Sequence, residues 1–119
     1  MITFSKLGKA GRLGNQLFQY AAMRSLSLEK GFELGIPNPK NMHWHGQDCL
    51  LDNFNIEASC IPEDYIPKFK YAETNSFKFD KNFLHLGDGI DVFGYFQSIA
   101  YFEKHIDQIK KELSPKQHI

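Results

Sequence analysis

A short apolar run, Met1 to Phe4, is followed by Gly11-Arg12-Leu13-Gly14-Asn15-Gln16-Leu17-Phe18-Gln19-Tyr20-Ala21-Ala22. That order constrains the fold more than anything else in the chain. A β-capable run, a glycine-punctuated turn and an apolar helical pattern read as strand, turn, helix. Gly11 and Gly14 suit a turn that needs unusual backbone angles or the close approach of a ligand. Leu17, Phe18, Ala21 and Leu28 fall on one helical face with Ala22 at its edge, so the helix is expected to dock by that face. Its N-terminus then points back at the turn, where free N–H groups and the helix dipole favour an anion. Arg12 adds a planar, permanently charged fork suited to phosphate or carboxylate oxygens. Asn15 and Gln16 add neutral donors and acceptors. The bland alternative is a plain strand-to-helix turn with a surface arginine, and spacing alone favours it, since such turns are common.

The rest of the chain extends this start into an α/β pattern. Met1 to Leu7 reads as the first strand and Gln16 to Lys30 as the first helix, with Gly31 placed as a C-terminal cap. Phe32 to Ile36 reads as a second strand, ended by Pro37 and Pro39. Strand, helix, strand implies a right-handed crossover into a parallel sheet. Asn38 to Gln47 reads as loop. Cys49 to Ile56 is semi-apolar. Ile61 to Pro67 reads as a short helix with Pro62 in its first turn. Phe77, Phe79 and Phe83 hint at an extended segment. Gly87-Asp88-Gly89 reads as a turn, and Ile90 to Phe96 as a strand. Ser98 then caps a helix whose apolar positions Ile99, Phe102, Ile106, Ile109 and Leu113 recur at spacings of three and four. The 119 residues suit a single domain with an aromatic-rich core, since Phe alone occurs 11 times. Formal net charge is zero, which argues against a basic nucleic-acid face. No run approaches the roughly 18 apolar residues of a membrane helix. Cys49 and Cys60, with no leader segment in view, read as free thiols of a reducing compartment.

The segment Gly11 to Ala21 resembles the first signature of glycosyltransferase family 11, the alpha-1,2-fucosyltransferases. Those chains open with a strand and then a Gly-Gly/Arg-Leu-Gly-Asn-Gln-Leu/Met-Phe-Gln-Tyr-Ala segment. Gly94-Tyr95-Phe96-Gln97-Ser98, with Tyr101-Phe102, resembles a second family element in the expected order, and Leu51-Asp52-Asn53-Phe54 resembles its Leu-x-x-Phe element. The resemblance implies a Rossmann-like parallel sheet with flanking helices, the N-terminal domain of a GT-B-like enzyme spanning residues 1–119. It implies transfer of L-fucose from GDP-fucose to the 2-hydroxyl of a galactose-containing glycan acceptor. Gly11, Arg12, Gly14, Asn15 and Gln16 are then the donor-contacting residues. Family members often carry a second glycine where Arg12 stands, so Gly14, Asn15 and Gln16 carry more weight.

Complete members of the family are much longer and carry a donor-binding His-x-Arg-Arg-Gly-Asp segment, which nothing here matches. The expectation is therefore an N-terminal part of the enzyme, inactive by itself. Animal members have a membrane anchor. The form seen here implies a bacterial or viral protein, cytoplasmic, with room for peripheral contact at the inner face of a bacterial membrane. The alternative is a stand-alone, non-catalytic α/β domain that binds a glycan or a partner chain.

Other sites compete less well. His43, Trp44, His45, Asp48 and Cys49 offer ligand atoms, but in no standard zinc spacing; a sugar-stacking or solvated loop is the competing reading. Gly8, Gly11 and Gly14 match neither the dinucleotide nor the Walker pattern. The chain has no Asp-x-Asp pair, so metal-independent transfer without a cofactor is expected. Gln97 could be a ligand group at a strand end, but the favoured reading is packing, with Tyr95 and Phe96 in the core and Gln97 leading into the helix. Asp88, Asp91 and Glu103 read as turn and helix-surface carboxylates, and none is assigned as a base.

Overall fold

The central strand β1 is Ile2–Thr3, both residues buried. The computed structural model describes residues 1–7, 13–37, 43–44, 47–48, 54–74 and 78–115. Helix α1 (Leu13–Lys30) follows β1 and leads to β2 (Leu34–Ile36). Next come a two-stranded hairpin, β3 (His43–Trp44) and β4 (Gln47–Asp48), and then β5 (Ser59–Cys60). Strand β6 (Phe69–Ala72), a 3-10 turn at Lys81–His85 and β7 (Ile90–Phe93) complete the sheet. Two 3-10 turns, Ile99–Tyr101 and Glu103–His105, run into α2 (Ile106–Glu112). The main sheet has the order β5-β2-β1-β7-β6, and every neighbouring pair in it is parallel. The expected α/β class and its parallel βαβ start are therefore present, in a Rossmann-like arrangement. The radius of gyration is 13.4 Å, against roughly 13.5 Å for a compact chain of this length.

Several local signals read correctly. Gly31 has φ +72, and its N–H reaches the Ser27 carbonyl at 2.9 Å, closing α1. Gly89 has φ +76 in the turn before β7. The Ser98 hydroxyl accepts from the Ala100 N–H at 3.3 Å, which makes it the expected cap.

Other expectations are corrected. β1 stops at Thr3 because the chain turns from Phe4 to Leu7 (3.2 Å between that N–H and carbonyl). Asp91 helps fix that turn. It is no surface group: its carboxylate accepts from the Thr3 hydroxyl (2.8 Å), the Ser5 N–H (2.9 Å) and the Ser5 hydroxyl (2.7 Å). β7 likewise ends at Phe93, before the turn that Gly94 opens. The segment Ile61 to Pro67 is no helix; it holds one turn, Tyr65 N–H to Pro62 carbonyl at 3.0 Å, between two edge strands. Part of the expected loop before Asp48 forms the antiparallel hairpin, with His43 opposite Asp48. Phe83 sits in a 3-10 turn rather than an extended run. The single helix expected from Ile99 to Leu113 is broken at Phe102 (φ −138, ψ 8). Tyr101 there is drawn toward β6, and the Phe102 ring meets Phe18 at 5.9 Å.

Helix α1 also buries a different face from the expected one. Phe18 is 38% exposed, and Leu17 and Leu28 are half-buried. Gln16, Gln19, Tyr20, Ala22, Met23 and Leu26 go inside with Ala21. Polar groups tolerate that burial when they are hydrogen-bonded. The Gln19 Nε2 donates to the Gly94 carbonyl at 3.0 Å, and the Tyr20 hydroxyl donates to Glu112 at 2.5 Å.

Three tyrosines lie at polar ties of this kind, and burial raises all three above the ordinary value of 10.0. Tyr101 is pushed up to about 12, chiefly by burial, with the Glu73 carboxylate adding to the rise against an opposing Asp80 N–H. Tyr20 rises through burial and Glu112, and Tyr71 through burial and Asp80. A raised folded value means the native state holds the proton more tightly. That stability is complete below pH 10.0 and is lost as pH climbs through the folded values. Alkaline titration is expected to show these phenols ionising together with loss of circular dichroism signal. Tyr101→Phe should remove its share of the phenolate absorbance in that step. Smooth ionisation near the ordinary value with the fold intact would refute this.

Candidate functional site

The sheet order places β2 and β5 on one side of β1, and β7 and β6 on the other. Strands β1 and β7 are parallel neighbours, so their carboxyl ends lie side by side, at the edge where open α/β sheets commonly hold ligands. Two segments converge there. One is the start of α1, carrying Gly14, Asn15 and Gln16. The other is Gly94 to Gln97, leaving β7.

Their meeting point is a side-chain pair 82 residues apart in sequence: Gln97 Nε2 donates to Asn15 Oδ1 at 2.8 Å. Gln97 is exposed and Asn15 half-buried, so solvent reaches the pair. One turn deeper, Gln19 ties the same helix to the Gly94 carbonyl.

The remaining predicted residues divide. Gly11 and Arg12 lie outside the described residues. So do His45 and Cys49 of the His/Trp/His loop and Leu51 to Asn53. Gly14 is exposed but is helical, not in a turn, and has no positive φ; this corrects the reading that it serves unusual backbone angles. A Cβ at Gly14 would meet nothing within 4 Å among the described residues, so packing does not require glycine there. Gln16 is 1% exposed, so its side chain serves the interior. The first-turn N–H groups that have no carbonyl of the helix to bond belong to Leu13, Gly14 and Asn15. No acidic residue stands in that turn to neutralise the positive end of the helix.

Glu73 is the residue of this region that sequence reasoning missed. It lies just past β6, in a stretch where the sequence singles out no candidate residue. Its Oε1 accepts the N–H groups of Tyr95 (3.0 Å) and Phe96 (3.1 Å). Its Oε2 lies 3.0 Å from the Tyr101 hydroxyl, whose single proton is shared with the Lys78 carbonyl at 3.2 Å. The same hydroxyl accepts from the Asp80 N–H at 2.8 Å. No local pattern marks Glu73, because its partners, two backbone N–H groups and the Tyr101 hydroxyl, all lie more than twenty residues away.

Among the described residues, hollows lie elsewhere. A cavity of about 320 Å³ opens at the C-terminal end of α1 beside Glu29, His85, Lys104 and His105. Glu29 there bonds Lys104 (2.7 Å) and His105 (3.0 Å), which hold its carboxyl below the usual range. An apolar groove of about 330 Å³ runs between α1 and α2, lined by Leu17, Phe18, Phe102, Ile106 and Leu113. Among the described residues no group of three His, Cys, Asp or Glu is placed to hold a metal. No described helix is long and apolar enough to cross a membrane. Cys60 is an exposed free thiol on edge strand β5. Comparison with protein-family models, with curated proteins and with solved structures finds no match for this chain.

Proposed function

We propose that this α/β unit forms the donor-facing wall of an alpha-1,2-fucosyltransferase. The observation that carries the reading is the Asn15–Gln97 hydrogen bond. It joins the two segments whose residues resemble that family, at the strand ends where open α/β sheets commonly hold ligands. In the reaction, a galactose 2-hydroxyl attacks the anomeric carbon of GDP-fucose. The bond from that carbon to the diphosphate oxygen breaks, GDP leaves, and configuration inverts. Negative charge grows on the leaving diphosphate. First-turn N–H groups, the positive end of α1 and the Arg12 guanidinium are suited to receive that charge. Gly14 lets a phosphate approach the helix closely. No metal is required, and the base for the acceptor hydroxyl is unassigned.

Amide chemical-shift titration tests this. GDP at millimolar concentration is expected to move the Leu13, Gly14, Asn15 and Gln97 signals, and guanosine, which lacks the diphosphate, is not. Asn15→Ala should weaken GDP binding by about tenfold, the scale of one hydrogen bond to a charged group. Gly14→Ala should raise helix propensity by up to ~1 kcal/mol while reducing GDP binding. GDP that leaves the first turn of α1 undisturbed would end the reading. Fucosyl transfer by residues 1–119 alone is expected to be absent or trace, since the donor signature is not among them.

The apolar groove between α1 and α2 favours the second reading, a non-catalytic domain that binds a glycan or a partner chain. A chain silent to GDP that still binds a galactose-containing glycan would support it.

A further inference from the structure

Phe96 has φ +51 and is the only non-glycine residue at positive φ among the described residues. A bulky side chain in the left-handed region costs of order 1–3 kcal/mol and persists only where its surroundings hold it. The holder here is identifiable. One carboxylate oxygen of Glu73 accepts the two successive N–H groups of Tyr95 and Phe96. Glu73 is itself fixed, because its own N–H donates to the Phe93 carbonyl at 2.8 Å. The turn lies so close that a Cβ on Gly94 would stand 2.6 Å from Glu73 Cβ and 3.0 Å from Phe96 Cζ. The next residue after Phe96 is Gln97, whose amide meets Asn15.

We propose that Glu73 is a positioning residue. Its carboxylate holds the Tyr95–Phe96 turn in a strained form that sets Gln97 against Asn15, so the two amides meet a polar ligand as one preformed unit. The identity of that ligand, a sugar diphosphate, rests on the fucosyltransferase reading; the positioning itself does not. Holding the pair in advance removes the cost of ordering two flexible side chains on binding.

The test follows the side-chain amide signals of Gln97 and Asn15. In the wild-type chain they are expected away from free-amide positions. Glu73→Ala should return both to those positions and speed hydrogen exchange at the Phe96 N–H by at least about tenfold. Glu73→Gln should restore much of the pattern, because its oxygen still accepts both N–H groups. Tyr101→Phe removes the other contact of the carboxylate; it should lower thermal stability and leave the Gln97 signal in place. A purely structural Glu73 would give the reverse, with stability lost in Glu73→Ala and the Gln97 amide unmoved. That result overturns the proposal.

For the ligand, Glu73→Ala and Gln97→Ala should weaken GDP by similar factors, and the double variant little further. If Asn15→Ala weakens GDP and Glu73→Ala does not, the proposal falls and the fucosyltransferase reading stands. A wild-type chain that ignores GDP defeats that reading, and the amide signals still decide the positioning. Should Glu73→Ala not fold, exchange in the wild-type chain decides: Tyr95 and Phe96 amides exchanging at free-loop rates overturn the proposal.

Discussion

Glu112→Ala is expected to lower the stability of the chain by about 3–5 kcal/mol, the usual range when one partner of a buried ion pair is removed. For a protein of this size that corresponds to a fall in melting temperature of more than ~10 °C. Glu112 is 2% exposed near the end of α2. Its carboxylate accepts from the Tyr20 hydroxyl (2.5 Å), from Arg24 Nε (3.0 and 3.1 Å) and from Gln108 Nε2 (2.7 Å). Tyr20 in turn accepts the Glu57 N–H at 2.8 Å, and Arg24 reaches the Glu57 carboxylate at 3.2 Å. One carboxylate thus ties α2 to α1, and through Tyr20 and Arg24 to the segment before β5. Alanine leaves a mostly buried guanidinium and a buried phenol without their acceptor. Glu112→Gln keeps the shape and one acceptor oxygen, so its loss should be smaller. Arg24→Met combined with Glu112→Leu should cost less than the two single changes added together, because no unpaired buried charge remains and Glu57 is exposed. Urea unfolding measures all of these. A Glu112→Ala chain within ~1 kcal/mol of wild type would show that the tie carries no weight.

The same network explains what the sequence pattern could and could not reveal. Gly31, Gly89 and Ser98 were legible because their roles are local: backbone angles or a cap within two residues. The parallel start was legible because strand, helix and strand follow one another directly. The buried face of α1 was not legible. Hydrophobic periodicity counts Gln16, Gln19 and Tyr20 as wet, yet the Gln19 amide and the Tyr20 hydroxyl donate to groups 75 and 92 residues away. The apolar spacing from Ile99 to Leu113 was real, but the Tyr101 hydroxyl is claimed by Glu73, the Lys78 carbonyl and the Asp80 N–H, and the helix breaks there. Strands β5 and β6 escaped because they are short edge strands. Phe69 is 61% exposed on β6, so no alternation announces it. At the candidate site, Asn15 and Gln97 stand in recognisable segments. Glu73, which braces one of them, acts through backbone groups that no side-chain pattern records.

Phe83→Ala is the second large effect, about 3–5 kcal/mol, the range for removing a buried phenylalanine ring. Phe83 is fully buried although its 3-10 turn, Lys81–His85, is otherwise exposed. Its ring centroid lies 4.9 Å from Phe96, 5.1 Å from Tyr101 and 6.2 Å from Tyr71. The Phe96 and Tyr101 rings also meet each other, edge to face, at 5.0 Å. Such contacts add to the hydrophobic gain of burying the rings. Phe83 therefore supports from below the residue that Glu73 holds from the side. The effect should reach the site: with Phe83 removed, the Phe96 ring loses a wall, and its left-handed backbone has less to hold it. Phe83→Leu refills part of the volume, so it should recover part of the stability. The Gln97 side-chain amide should move toward its free position in Phe83→Ala, at temperatures where the chain is still folded. Arg24→Met, in the separate Glu112 network, should leave that amide in place at a comparable loss of stability. Equal disturbance of Gln97 by both variants would mean that it reports only global loosening, and the aromatic cluster would have no particular hold on the turn.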